Sequence, residues 1–423
     1  MLNKIIFTTL STLIVATAIP YGTVEPWWKA AFICAVFAIC IAAIIEWLVS
    51  GANRLDGASV LAPMLALSAF AFGQAWTSAD PFQTRFFALQ ILALTAFLSL
   101  LYRYARTERR VGILVYTVLG IAVASAIFGI LRQTTQHQTG FILPLLKPAA
   151  GYGQFINKNH FAYLMEMAFG LGLGMIIAGG VKRDRLMILV SLLLPIWIAL
   201  VLANSRGGIL AMLAEIVVAA LVLLSIRADV PRSLALRGAL LVILIAGILA
   251  GTFWVGGDRL AGNFAAASTE LGTQTAREGA SRNEIWQATL KMFAAHPLLG
   301  IGLGGYWIGI TAYHDASGVL TPQEAHNDYL ELLSSGGLIG FAIGVWFAVM
   351  VVRAARKHFF VQTSFIRAAK IGAMLGIAGV AAHSLVDFGL HMLANAVVFL
   401  TLVMIVTTKI EPDKIVDLNT KAP

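Results

Sequence analysis

The residues best suited to chemistry lie at 323–333, QEAHNDYLELL, where Asn327, Asp328 and Tyr329 follow His326, and Glu324 and Glu331 flank it. An imidazole titrates near neutral pH and can take a proton from a hydroxyl. Two arginines stand out beside it. Arg206 lies in NSRGG at 204–208, between two apolar runs, and Arg282 opens SRNEIWQATLKMFAAHPLLG at 281–300. A guanidinium suits paired hydrogen bonding to a lipid diphosphate. Each residue also has a plainer reading: an arginine that snorkels to a membrane surface, or a histidine that only packs.

Other polar groups need an account. Asn159 and His160, with Asn157 and Lys158 before them, end the loop RQTTQHQTGFILPLLKPAAGYGQFINK at 132–158 and are candidates for sugar or phosphate contact. HSLVDFGLH at 383–391 sets Asp387 one helical turn after His383 and adds His391. A metal site is one reading of that spacing; polar packing at a helix end is the simpler one, and no metal is expected. GIGLGG at 300–305 has the GxGxxG form but follows no strand, so it is read as a flexible loop with backbone N–H groups available to phosphate. No Asp-x-Asp pair occurs, which argues against a metal-dependent sugar-nucleotide transferase. Glu166 and Glu215 fall in apolar runs and are read as partners for arginines near the outer membrane face. Cys34 and Cys40 are six apart in one apolar run, so neither a disulfide nor a metal is expected of them.

These residues must be held by helices. Ser281 and Glu284 form a capping box ahead of one amphipathic helix, whose apolar surface comes from Ile285, Leu290, Met292 and Phe293. Arg282 would sit in its first turn, where the helix dipole disfavours a cation and a bound anion would explain one. Thr321, Pro322 and Glu324 give a second capping box, predicting a helix from Pro322 to Ser335 that places His326, Tyr329, Leu330 and Leu333 on one face. Asp328 and Glu331 then point elsewhere.

Everything else is apolar: mean hydropathy is +0.83 and charged residues make up 12% of the 423. A run of about 20 apolar residues crosses roughly 30 Å of hydrocarbon. Twelve such runs occur, at 5–20, 28–49, 58–77, 86–102, 111–131, 159–179, 186–204, 207–226, 235–255, 337–353, 367–386 and 391–408. With a cytoplasmic N-terminus, 20 of the 30 Lys and Arg fall in short inner loops, as the positive-inside rule requires. The net charge of +9 is therefore topology, and no nucleic-acid partner is expected. Lys4 and Ala16-Thr17-Ala18 resemble a signal peptide, but the next span follows so soon that an uncleaved first span is expected. The expected architecture is a single all-α integral membrane domain, residues 1–423, with both termini cytoplasmic. A large periplasmic loop containing short helices, 256–336, separates the ninth and tenth spans.

NSRGGILA at 204–211, SRNEIWQATLKMFAAHPLLGIGLGGY at 281–306 and AHNDYLELLSSGGLIGF at 325–341 resemble the O-antigen ligase and polymerase superfamily of bacterial inner-membrane glycosyltransferases. HSLVDFGLH at 383–391 also looks like that family, and the likeness runs from about residue 150 to 395. It implies a GT-C-like fold and an inverting, metal-independent, cofactor-free transfer of a glycan from undecaprenyl diphosphate to an acceptor hydroxyl at the periplasmic face. Arg206 and Arg282 would bind the diphosphate and His326 would act on the acceptor, with Asn159, His160, Tyr329 and His383 as further substrate contacts. The acceptor would be the lipid A core for a ligase, or another lipid-linked glycan for a polymerase. INKNHFAYLMEMA at 156–168 points toward a polysaccharide polymerase, with the ligase as the alternative. The short tail after the last run argues against the protein-glycosylating branch. A lipid-linked sugar flippase is the rival from another class. It would place its ionisable groups near the midplane, often among internal repeats, and no repeat is seen.

Overall fold

The computed structural model describes residues 2–19, 21–51, 56–135, 151–225, 282–314, 322–359 and 363–411. Among them the chain is all-α, as expected of a membrane protein. Eight helices come first: α1 (Leu2–Ala18), α2 (Pro26–Ser50), α3 (Ala58–Gln74), α4 (Pro81–Tyr104), α5 (Glu108–Thr135), α6 (Lys158–Ile177), α7 (Arg183–Leu202) and α8 (Arg206–Ser225). Two short helices follow, α9 (Arg282–Ala295) and α10 (Tyr306–Gly309). The chain then returns through α11 (Asp328–Lys357), α12 (Ser364–His383) and α13 (Leu393–Thr407).

Among the described residues, seven helices are long and apolar enough to cross a membrane, and α1, α3 and α13 are shorter apolar helices. Eleven of the twelve expected runs coincide with helices; the ninth, 235–255, lies outside the described residues, as does much of the 256–336 loop. Large side chains such as Val49 and Met187, 83% and 71% exposed, face outward from the bundle. Their transfer from water to hydrocarbon would be favourable by about 1.5–3 kcal/mol each.

The tightest crossing is between α6 and α12. Gly170 and Gly174 on α6 meet Gly372 and Gly376 on α12, and a Cβ on Gly174 would lie 2.2 Å from the Gly372 backbone. Small residues four apart on both helices let the backbones touch, which is how helices associate where burial from water supplies no drive.

The bundle has two chemically distinct ends. At one, Arg103 lies 2.8 Å from Glu46, Arg106 pairs with Asp56 and Glu411, and Arg110 donates to the Tyr104 carbonyl and to Asn3, both at 2.6 Å. The opposite end carries the starts of α6, α8, α9 and α11.

Candidate active site

Four helix N-termini meet the turn that follows α12. Asn159, in the first turn of α6, donates to Asp387 Oδ2 through its amide nitrogen. Arg282, the first described residue of α9, puts Nη2 3.5 Å from the same oxygen. Gly207, in the first turn of α8, lies so close that a Cβ there would sit 2.2 Å from the His383 ring. Asp328, opening α11, donates its backbone N–H to the Ser384 carbonyl at 3.0 Å. Local capping fixes three of these starts. Asn157 accepts from Asn159 N at 2.9 Å, Ser205 Oγ from Gly208 N at 3.1 Å, and Asn327 from Tyr329 N and Leu330 N at 3.1 and 3.0 Å.

Helices α6, α8 and α9 each begin with a cation: Lys158, Arg206 and Arg282. The helix dipole disfavours a cation there by about 0.3–1 kcal/mol. Lys158 also feels the charges of both Arg206 and Arg282. Asp387 supplies one negative charge to this cluster, and a further anion would relieve it.

Asp387 is 1% exposed. A carboxylate removed from water costs several kcal/mol unless it is paired. Besides Asn159 and Arg282, its Oδ1 accepts from Phe388 N at 2.9 Å and lies 3.7 Å from His326 Nδ1. Burial alone would raise its pKa. His326, the charge of His160 and the Phe388 N–H outweigh burial and hold it down at about 2. At 3.7 Å the His326 contact is an electrostatic one, too long for a hydrogen bond.

His326 does not sit within a helix, contrary to the reading of the sequence. α11 begins at Asp328 with Asn327 as its N-cap, and His326 precedes it with φ +50°. The expected common face of His326, Tyr329, Leu330 and Leu333 therefore does not form. The loop is fixed on either side instead: Trp286 Nε1 donates to the Ala325 carbonyl at 3.0 Å, and Ala325 N donates to Glu331 Oε2 at 2.9 Å. With Nδ1 toward Asp387, the far ring nitrogen, Nε2, has no protein hydrogen bond among the described residues, and the side chain is 33% exposed. A carboxylate behind one imidazole nitrogen and open space before the other is an arrangement for moving a proton.

The stretch from 186 to 345, which holds Arg206, Arg282 and His326, matches the family described as O-antigen ligase. Over that stretch the chain is similar to the O-antigen ligase and polymerase superfamily. No curated protein matches it. Members act on glycans, which supports an enzyme of the glycosyltransferase type. Asn159 and Asp387, which tie the matched region together, lie outside it on α6 and after α12.

Around this core the structure corrects several expectations. His383, Asp387 and His391 do not form one cluster. His383 Nδ1 lies 2.8 Å from Glu166 Oε2, both fully buried, and its ring stacks on Tyr163 at 4.0 Å. Glu166 thus pairs with a histidine, not an arginine, and neither oxygen of Glu215 has a hydrogen bond among the described residues. His391 faces Glu324 at 3.4 Å and Asp328 and Glu331 at 3.6 Å, so these acids belong to the site's surroundings and Glu324 is not a helix cap. Donor atoms of Glu324, Glu331 and His391 lie within 4.8 Å of one another, a spacing a cation could bridge, although the same atoms already pair among themselves.

His160 is buried, with its ring edge-on to Phe388 at 4.7 Å, and Tyr329 donates to the Ala381 carbonyl at 2.8 Å. GIGLGG is a tight clasp, not a phosphate loop: Ile301 N and Gly302 N donate to the Ser334 and Ser335 carbonyls. A Cβ at Gly302, where φ is +118°, would meet Ser78 Oγ at 1.9 Å. On α9, Ile285 and Met292 are buried as expected but Leu290 is 48% exposed. Phe388 escaped notice in the sequence; its ring touches His160, His326 and His391 edge-on. Only the polar density of HSLVDFGLH could have drawn attention to it. Ser281 and Thr321, the two expected caps, lie outside the described residues.

Proposed function

We propose that this protein transfers a glycan from undecaprenyl diphosphate to an acceptor hydroxyl, with inversion, at the end of the bundle where α6, α8, α9 and α11 begin. The carrying observation is the set of three cations, Lys158, Arg206 and Arg282, at three helix starts beside the His326–Asp387 pair. The acceptor oxygen attacks the anomeric carbon and its proton passes to His326 Nε2. Asp387 stabilises the imidazolium so formed. The sugar–oxygen bond breaks and the diphosphate leaves with the electron pair, its growing charge met by the two arginines, Lys158 and the helix N-termini. Fixed cations suffice for this step, so metal independence is part of the proposal. The paired arginines of the other end suit the cytoplasmic side, which supports a periplasmic site in a protein of a bacterial inner membrane.

Between the two acceptors, the sequence INKNHFAYLMEMA at 156–168 favours a lipid-linked glycan and hence a polysaccharide polymerase, with ligation to the lipid A core as the alternative. The flippase reading has one observation behind it. Glu166, His383 and Glu215 are ionisable groups buried inside the bundle, Glu166 about 12 Å along α6 from Lys158. The glycan profile of a deletion strain separates the three readings. Single capped repeats on the lipid carrier indicate a polymerase, and long chains left on the carrier indicate a ligase. Intermediates confined to the cytoplasmic leaflet would overturn transfer in favour of transport.

A further inference from the structure

We infer that His391 is a positioning residue whose ring clamps the His326 loop onto the Asp387 turn, an inference that rests on the reading of His326 as the base. Its Nδ1 lies 3.4 Å from Glu324 Oε2, and its Nε2 lies 3.6 Å from both Asp328 Oδ1 and Glu331 Oε1. Glu324 and Asp328 stand two residues before and two after His326. His391 itself stands four residues after Asp387. One ring therefore fastens both flanks of the base to the chain segment that carries its carboxylate. The loop needs such a hold, because His326 has φ +50°, a left-handed conformation that is strained for a non-glycine residue. Asp328 strengthens the clamp by accepting from Ser384 Oγ at 2.6 Å.

The charges facing this ring come from several elements. Glu324 belongs to the loop, Asp328 and Glu331 to α11, Lys29 on α2 acts on Glu324, and His160 on α6 feels His391 itself. Burial alone would lower the His391 pKa. The carboxylates of Glu331, Glu324 and Asp328 outweigh it and raise the pKa to about 10. A raised pKa means that the contribution of the charged ring is complete below the ordinary 6.5 and disappears only as pH rises through about 10. The clamp is closed throughout the neutral range.

The test uses the full-length protein in vesicles with the undecaprenyl-diphosphate glycan of its own host, comparing His391→Gln with His391→Lys at matched membrane levels. The glutamine variant should lose about 10–100-fold in kcat with the donor KM unchanged, because the base is misplaced while the cations are not. The lysine variant should recover most of that loss, since it restores the charge. Glu324→Gln, which loosens one flank only, should show the same kcat loss at smaller size. A packing role would leave glutamine and lysine equally impaired, and that result overturns the clamp. Full activity of His391→Gln overturns it too, as does loss of wild-type transfer in EDTA, which would make His391 a metal ligand. His326→Ala runs in parallel. If it still transfers glycan, the base reading fails; if it is inactive while His391→Gln is not, the clamp alone fails.

Discussion

At the basic end of the bundle Arg103 lies 2.8 Å from Glu46 and Arg106 pairs with Asp56 and Glu411. At the opposite end Lys158 has no hydrogen bond or ion pair among the described residues, and Arg282 reaches one carboxylate at 3.5 Å. Helix polarity sharpens the contrast. Arg103 occupies the last turn of α4, and Arg356 and Lys357 the last turn of α11, where the dipole favours a cation. Lys158, Arg206 and Arg282 open their helices, where it does not. One set of cations sits where the helix dipole favours it, and the other sits where a bound anion would offset the dipole. Arginine content alone would not have told them apart.

The comparison can be broken by mutation. Arg206→Ala, Arg282→Ala and His326→Ala should each reduce transfer by at least ~10²-fold while the protein remains in the membrane; normal surface polysaccharide in complemented deletion strains would contradict this. Asp387→Asn should follow, with about 10²-fold lower kcat and little change in donor KM, measured in vesicles. Its pH signature has a definite sign. Because the Asp387 pKa falls from 3.8 to about 2, its contribution to stability is present above the ordinary value and lost as pH drops through the lower one. The melting-temperature gap between wild type and Asp387→Asn should be constant above about pH 5 and narrow toward pH 2. Lys158→Ala should act more weakly, raising donor KM about 10-fold, since a point charge lacks the paired hydrogen bonds of arginine. Smallest of all, Arg103→Ala should leave transfer intact and cost about 1 kcal/mol of stability, read by thermal unfolding.

Much of this was legible in the sequence because its signals are local. Apolar run length gave eleven helices, and the cation at the start of α9 already raised the question of an anion. The errors arose where tertiary contacts decided between competing local signals. Thr321 with Glu324 suggested an earlier helix start, whereas Asn327 is the N-cap of α11. The anchors from Trp286 to Ala325 and from Asp328 to Ser384 accompany the later start and leave His326 outside the helix. His383 and Asp387 looked paired by their spacing of four, and Asp387 N does donate to the His383 carbonyl at 3.1 Å, but their side chains turn to different partners. Their true partners lie far away in the chain, Glu166 217 residues from His383 and His326 61 residues from Asp387, beyond any local pattern.

The central claim is that the cations opening α6, α8 and α9 form a diphosphate site. Its most direct test is equilibrium binding of undecaprenyl diphosphate, without glycan, to the full-length protein in nanodiscs. Wild type and Arg103→Ala should bind alike, and the Arg206→Ala/Arg282→Ala double variant should bind at least ~10²-fold more weakly. Equal binding by the double variant and wild type would contradict the account.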